Sequence, residues 1–138
     1  MSIQKFEGPE GIKSLFEKAL DNDEKLLRTA LSSKPLVYLA GKDFAEEYMS
    51  KRRDSGIFLK SLRFSSADVD LPQHKNYGSY NKEARIAPKE IELKHSVILW
   101  DDFVAIVDPM KISGIIIQDE MYASVMKQWF DFIWSKSS

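Results

Sequence analysis

The chain has 138 residues, 43% hydrophobic and 30% charged, which is enough for one compact core and too few for two comfortable domains. Twenty Lys and Arg against 21 Asp and Glu give a formal charge of -1, so no global field draws the chain to nucleic acid or an anionic membrane. It has no cysteine, which excludes disulfides and thiolate metal sites. With no signal-peptide core and no apolar run of about 18 residues, the expectation is a single-domain cytoplasmic protein.

In chain order, Ile3 and Phe6 form a short apolar point before Glu7-Gly8-Pro9-Glu10-Gly11, a turn that opens a helix with proline in its first turn. Ile12, Leu15, Phe16, Ala19 and Leu20 recur at helical spacing. Leu26, Leu27, Ala30 and Leu31 resume that stripe after Asp21-Asn22-Asp23, which predicts two helices, or one interrupted at Asn22. Leu36 to Ala40 reads as a buried strand, and Gly41 stops it before a helix from about Asp43 to Arg53. That helix places Lys51, Arg52 and Arg53 where cations complement its C-terminal dipole. Ile57 to Phe64 reads as a partly exposed strand, and Ser65 to Lys82, rich in turn residues, as a mobile loop. Glu83 to Ala87 and Ile91 to Leu93 read as short strands on either side of Pro88.

The chain is organised around Ser96 to Glu120. Val97 to Trp100, Phe103 to Val107 and Ile112 to Ile117 have the length and β-branched content of three adjacent strands, with Asp101-Asp102 as a tight connection. Asp119 then caps a closing helix whose predicted apolar face is Met121, Tyr122, Val125, Trp129, Phe132 and Ile133. The aromatic run Trp129, Phe130, Phe132 and Trp134 reads as core. The fold class is therefore α/β, a mixed central sheet flanked by helices.

No complete catalytic constellation emerges. His74 and His95 form no close His-x-His or HExxH pattern, so no metal or other cofactor is assigned. Asp101 and Asp102 read as a hairpin turn rather than an acid/base pair, and Gly8 to Gly11 lacks the ending of a phosphate loop. Arg53, Arg63 and Arg85 each fall where a regular element meets a loop. If they converge, their guanidinium forks would hold a carboxylate, phosphate or sugar hydroxyl. The alternative is separate surface charges or ion pairs with Glu46, Glu47 or Glu90.

Phe6-Glu7-Gly8-Pro9-Glu10-Gly11-Ile12, Arg53 with Gly56-Ile57, Arg85-Ile86-Ala87-Pro88, the paired strands around Asp101-Asp102, Gly114 to Ile117 and Trp129-Phe130-x-x-Ile133-Trp134 occur in the order found in one family. The chain resembles the C-terminal, phospholipase D-like region of TrmB-type transcriptional regulators over nearly its whole length. The resemblance implies a noncatalytic effector-sensing or dimerisation domain, a homodimer with a small-molecule or anionic effector. DNA would be contacted only through a separate or missing winged helix-turn-helix, since the first helix begins almost at Met1. The enzyme superfamily's H-x-K-x-x-x-x-D motif is broken. From His95 the lysine place is Val97 and the acid place Asp102; one residue earlier, Lys94 takes the histidine place and Ser96 the lysine place. Two other readings stay open: a degenerate phosphodiesterase using His74 or His95, and a purely structural interaction module built on the closing helix.

Overall fold

The computed structural model describes residues 1–32, 39–64 and 81–138. Among these, seven strands form one sheet: β1 (Ser2–Glu7), β2 (Leu26–Leu31), β3 (Phe58–Arg63), β4 (Lys82–Ile86), β5 (Ser96–Trp100), β6 (Phe103–Asp108) and β7 (Ser113–Gln118). Their order is β1-β7-β6-β5-β2-β3-β4. Three helices cover it: α1 (Gly8–Ala19), α2 (Lys42–Asp54) and α3 (Glu120–Ser135). The strands β2, β3 and β4 are mutually parallel, whereas β5, β6 and β7 form an antiparallel meander beside them and β1 closes the far edge.

Burial divides the molecule into layers. On one face, Ile12, Leu15 and Phe16 of α1 and Ala45 and Tyr48 of α2 meet Leu27, Leu31, Ile98, Trp100, Ala105 and Val107. On the other, Ala123, Phe130, Ile133 and Trp134 of α3 meet Ala30, Leu62, Val97, Leu99 and Val104. Every residue of β5 is buried, as a central strand covered on both sides requires, and this explains its unbroken apolar run. Gly114 of β7 lies against α1, where a Cβ would come within 2.9 Å of Leu15 Cδ1 and 3.1 Å of the Ile106 carbonyl oxygen. That close approach, not a turn, accounts for a glycine inside a strand.

The structure departs from the sequence reading in several places. Leu26–Leu31 is not a helix but a central strand, paired with both β3 and β5. Its apolar residues Leu26, Leu27, Ala30 and Leu31 suit a helical stripe as well as a strand with both faces covered, and only Thr29 among its residues is β-branched. The side chain of Asn22 sets the sharp entry, donating from Nδ2 to the Leu26 carbonyl at 2.9 Å while its Oδ1 accepts from Leu26 N at 3.3 Å. Ile3 and Phe6 lie on an edge strand in which only Phe6 is buried. Ile91 and Leu93 form no strand; they pack half-buried against the α3 side of the core. The expected strand at Leu36 to Ala40 falls mostly outside the described residues, though Ala40 is buried in the α1–α2 core. The expected loop from Ser65 lies outside them up to position 80, and Lys82 belongs to β4.

Capping is as expected at the start of α3, where the Asp119 carboxylate accepts from Tyr122 N at 2.9 Å. The helix is rotated from the predicted face, however: Met121, Val125 and Phe132 are exposed, while Ala123 and Phe130 face the core. Asp101 takes a left-handed conformation (φ 46°) in the β5–β6 turn. Its two carboxylate oxygens accept from Asp23 N and Glu24 N at 2.9 and 3.0 Å, and its own N–H donates to Glu24 Oε1 at 2.6 Å. The hairpin thereby clamps the chain entering β2.

Candidate anion site on the β3–β4 sheet surface

Alternation along parallel strands decides which side chains share a face. Leu59 of β3 faces α1 and α2, so Ser61 and Arg63 do too. The register pairs Leu59 with Lys82, Ser61 with Ala84 and Arg63 with Ile86, which puts Lys82 and Ala84 on the same surface. Ser61 and Ala84 are 1% and 2% exposed and make a floor of small side chains. Lys82 stands at one end of this floor and Arg63 at the other, 7% and 3% exposed.

Helix α2 supplies a third cation. Ala45, Tyr48 and Arg52 are its buried residues, at the i, i+3, i+7 spacing of one helical face. Arg52 Nη1 donates to the Ile57 carbonyl at 2.8 Å and to the Asn81 carbonyl at 3.0 Å, which fixes the guanidinium beside the start of β4. The helix ends at Asp54 with Ser55 as its C-cap, and Gly56, at φ 74°, supplies the left-handed residue that turns the chain into β3; Ile57 N donates back to the Arg52 carbonyl at 3.1 Å.

The charges act on one another. Burial, with Arg63 and Arg52 nearby, lowers the Lys82 ammonium from 10.5 to about 8. Burial raises the Tyr48 phenol above its ordinary value, opposed in part by Arg52. Arg52 is itself lowered, by burial first, with Tyr48 acting in the opposite sense and Arg53 in the same one. Among the described residues, no carboxylate lies within ion-pair distance of Lys82.

The three arginines singled out in the sequence do not converge. Arg85 pairs with Leu62 in register and so faces α3, on the side of the sheet opposite Arg63. Its Nε donates to Glu83 Oε2 at 2.8 Å, its Nη1 donates to the Trp134 carbonyl at 2.9 Å, and its guanidinium carbon lies 4.5 Å from the Trp134 ring centre. Arg53 is half-buried in the last turn of α2, one residue beyond Arg52. A shared place at the edge of an element does not bring the three together, because strand alternation separates Arg63 from Arg85. The sequence marks Arg52 through the Ala45-Tyr48-Arg52 stripe of α2, whereas Lys82, beside a polar stretch, reads as an ordinary solvated lysine.

Ser96 and Val97, with His95 just before them, lie elsewhere on the sheet. Ser96 is fully buried, and its Oγ accepts from Ser32 N at 3.0 Å and shares a 3.1 Å contact with the Ser32 hydroxyl. Val97 is buried under α3. The His95 side chain is 55% exposed, with Nε2 3.7 Å from Asp108 Oδ2. No group of three or more His, Asp or Glu side chains gathers as a metal site among the described residues, and no helix among them is long and apolar enough to cross a membrane.

A mixed sheet with helices on both faces, parallel β2–β4 beside an antiparallel meander, defines a phospholipase D-like α/β fold, and solved structures share it over the whole chain. An archaeal chromatin protein, TrmBL2, whose structure shows a novel mode of DNA binding, superposes with a TM-score of 0.70 at 16% identity, covering 100% of this chain and 51% of that one. Nuc from Salmonella typhimurium, a phospholipase D family member, gives 0.66 at 16% identity, covering 99% and 96%. NucT from Helicobacter pylori gives 0.65 at 9% identity, covering 99% and 97%. The chain thus spans about half the length of the chromatin protein. No family model matches the sequence, and no curated protein is similar to it.

Proposed function

We propose that this chain is a noncatalytic regulatory domain of phospholipase D-like fold. It senses a small-molecule effector and associates as a homodimer in a transcriptional regulator whose DNA contact is made by a separate domain. The observation that carries the reading is the interior placement of both residues that fill the motif's lysine place. Val97 is enclosed under α3 and Ser96 is tied to Ser32, so in neither register does a cation stand ready to hold a phosphodiester for attack. The formal charge of -1 supports assigning DNA contact elsewhere, since duplex binding draws on many phosphate-neutralising cations. Within this reading, Arg63 and Arg53 belong to the effector side of the molecule, and Arg85 serves to hold α3 on the sheet.

The test has two parts. Incubation with bis(p-nitrophenyl) phosphate and with plasmid DNA should give no turnover above buffer, unchanged by His95→Asn. Thermal unfolding across sugars, sugar phosphates, nucleotides and anions, at two protein concentrations, should show a saturable shift for one ligand class and a transition that rises with concentration. Turnover that disappears with His95→Asn would overturn the reading in favour of a degenerate phosphodiesterase. One contact favours that second reading, the approach of His95 to Asp108, which would orient the ring as a nucleophile's partner does.

A further inference from the structure

Helix α3 carries apolar side chains on two opposite faces. Ala123, Phe130, Ile133 and Trp134 are buried against the sheet, yet Met121, Val125 and Phe132 point away from it, 76%, 57% and 64% exposed. With the exposed Gln128 between Val125 and Phe132, they recur at spacings of four, three and four residues, the stripe by which one helix packs along another. The exposed face of α2 is different: Lys42, Asp43, Glu46, Glu47 and Lys51 lie there, as suits a surface left in water. The outward stripe of α3 holds no charge, and the half-buried Tyr122 and Trp129 widen it on one flank. The charges at its margin are engaged within the chain. Asp131 Oδ1 accepts from Arg28 Nε at 3.1 Å, and Lys136 Nζ lies 5.7 Å from the Phe132 ring centre. Large apolar and aromatic side chains with charge excluded from the centre distinguish the core of an interface from ordinary surface.

We propose that two copies of this chain associate through this face, α3 against α3, antiparallel about a two-fold axis at Gln128. The proposal rests on the homodimer reading above and names the surface that forms the dimer. Two features select a second copy as the occupant. The stripe is complementary to itself: an amide both donates and accepts, so Gln128 can pair with Gln128 of the second copy across the axis, while the uncharged residues around it neither repel their own kind nor recognise a charged partner. The ends of the helix also carry opposite charge. Asp119 and Glu120 open α3 and Lys136 closes it, so antiparallel pairing sets each acidic end level with the basic end of the second copy, whereas parallel pairing sets like beside like. In this register Val125 packs beside Phe132 of the second copy.

The experiment combines sedimentation equilibrium over a series of protein concentrations with oxidative cross-linking. The chain has no cysteine, so a single introduced thiol reports proximity without background. The parent should pass from monomer to dimer as concentration rises. Phe132→Glu should raise the dimer dissociation constant at least about thirtyfold, with an unchanged circular dichroism spectrum because the side chain is exposed; Val125→Glu, a second variant on the same stripe, should act in the same direction. Gln128→Cys should form a disulfide-linked dimer on oxidation. Met121→Cys, whose two copies would stand about 21 Å apart along the paired helices, should not, and neither should Glu17→Cys on the exposed face of α1. Dimers unaffected by both glutamate substitutions overturn the proposal and leave the homodimer reading standing on another surface. So does a dimer of Gln128→Cys that forms no disulfide. Cross-linking of Met121→Cys as readily as Gln128→Cys means parallel pairing, which overturns the antiparallel arrangement. A parent that stays monomeric at every concentration overturns both the proposal and the homodimer reading.

Discussion

Replacing Arg85 with methionine separates a packing role from a binding one. The guanidinium makes three contacts in the described structure: a 2.8 Å bond to Glu83, a 2.9 Å bond to the Trp134 carbonyl and a face contact 4.5 Å from the Trp134 ring centre. The ion pair is partly exposed and contributes about 0.3 kcal/mol. The ring contact adds about 0.5–1 kcal/mol, and the bond to a carbonyl in the last turn of α3 about 1 kcal/mol. Methionine keeps much of the aliphatic stem's packing, so the expected loss is about 2 kcal/mol, a fall of roughly 7 °C in Tm for a domain of this size. Arg85→Lys retains charge over the ring and should recover about half of this. Urea unfolding followed by tryptophan fluorescence measures it directly, because Trp134 lies at the perturbed contact. A stability change below about 0.5 kcal/mol would refute the reasoning.

Three further outcomes are expected. Asp101→Ala removes the acceptor for two backbone N–H groups and places alanine at φ 46°; it should cost about 2 kcal/mol, and Asp101→Gly less, because glycine tolerates the backbone, as urea midpoints will show. Asp119→Ala deletes the N-terminal side-chain cap of α3 and should cost about 1 kcal/mol, read from the same midpoints. Lys82 titrates near 8 in the fold against 10.5 in the unfolded chain, so between those values the unfolded state holds the extra proton. Stability should therefore be lowest below pH 8 and climb as pH rises, by at most about 2 kcal/mol after solvent screening. Above about pH 10 the raised Tyr48 opposes this, because the unfolded phenol ionises first. Denaturant melts from pH 7 to 9.5 should show the rise in the parent and a flat profile in Lys82→Met.

The antiparallel half of the sheet was legible because its signals are local. Ser96–Trp100, Phe103–Asp108 and Ser113–Gln118 are short apolar runs separated by turn residues, and neighbours in sequence become neighbours in the sheet. The α1 and α2 stripes and the Asp119 cap belong to the same class of short-range signal. The α/β class and the likeness to phospholipase D-like domains followed from these elements.

Long-range pairing decided the rest. Leu26–Leu31 becomes a strand because β3 and β5 flank it on both sides, and six residues with apolar side chains at Leu26, Leu27, Ala30 and Leu31 are too short a run for periodicity to tell a strand from a helix. The rotation of α3, which buries Phe130 and exposes Phe132, depends on which residues the sheet offers beneath it. The candidate site depends on register most of all. Sequence determined that arginines and lysines lie at the margins of β3, β4 and α2, but only the parallel pairing of β3 with β4 sent Arg63 and Lys82 to one face and Arg85 to the other. The direction of a side chain from a strand is fixed by the pleat and the partner strand, and neither is written in the residue itself.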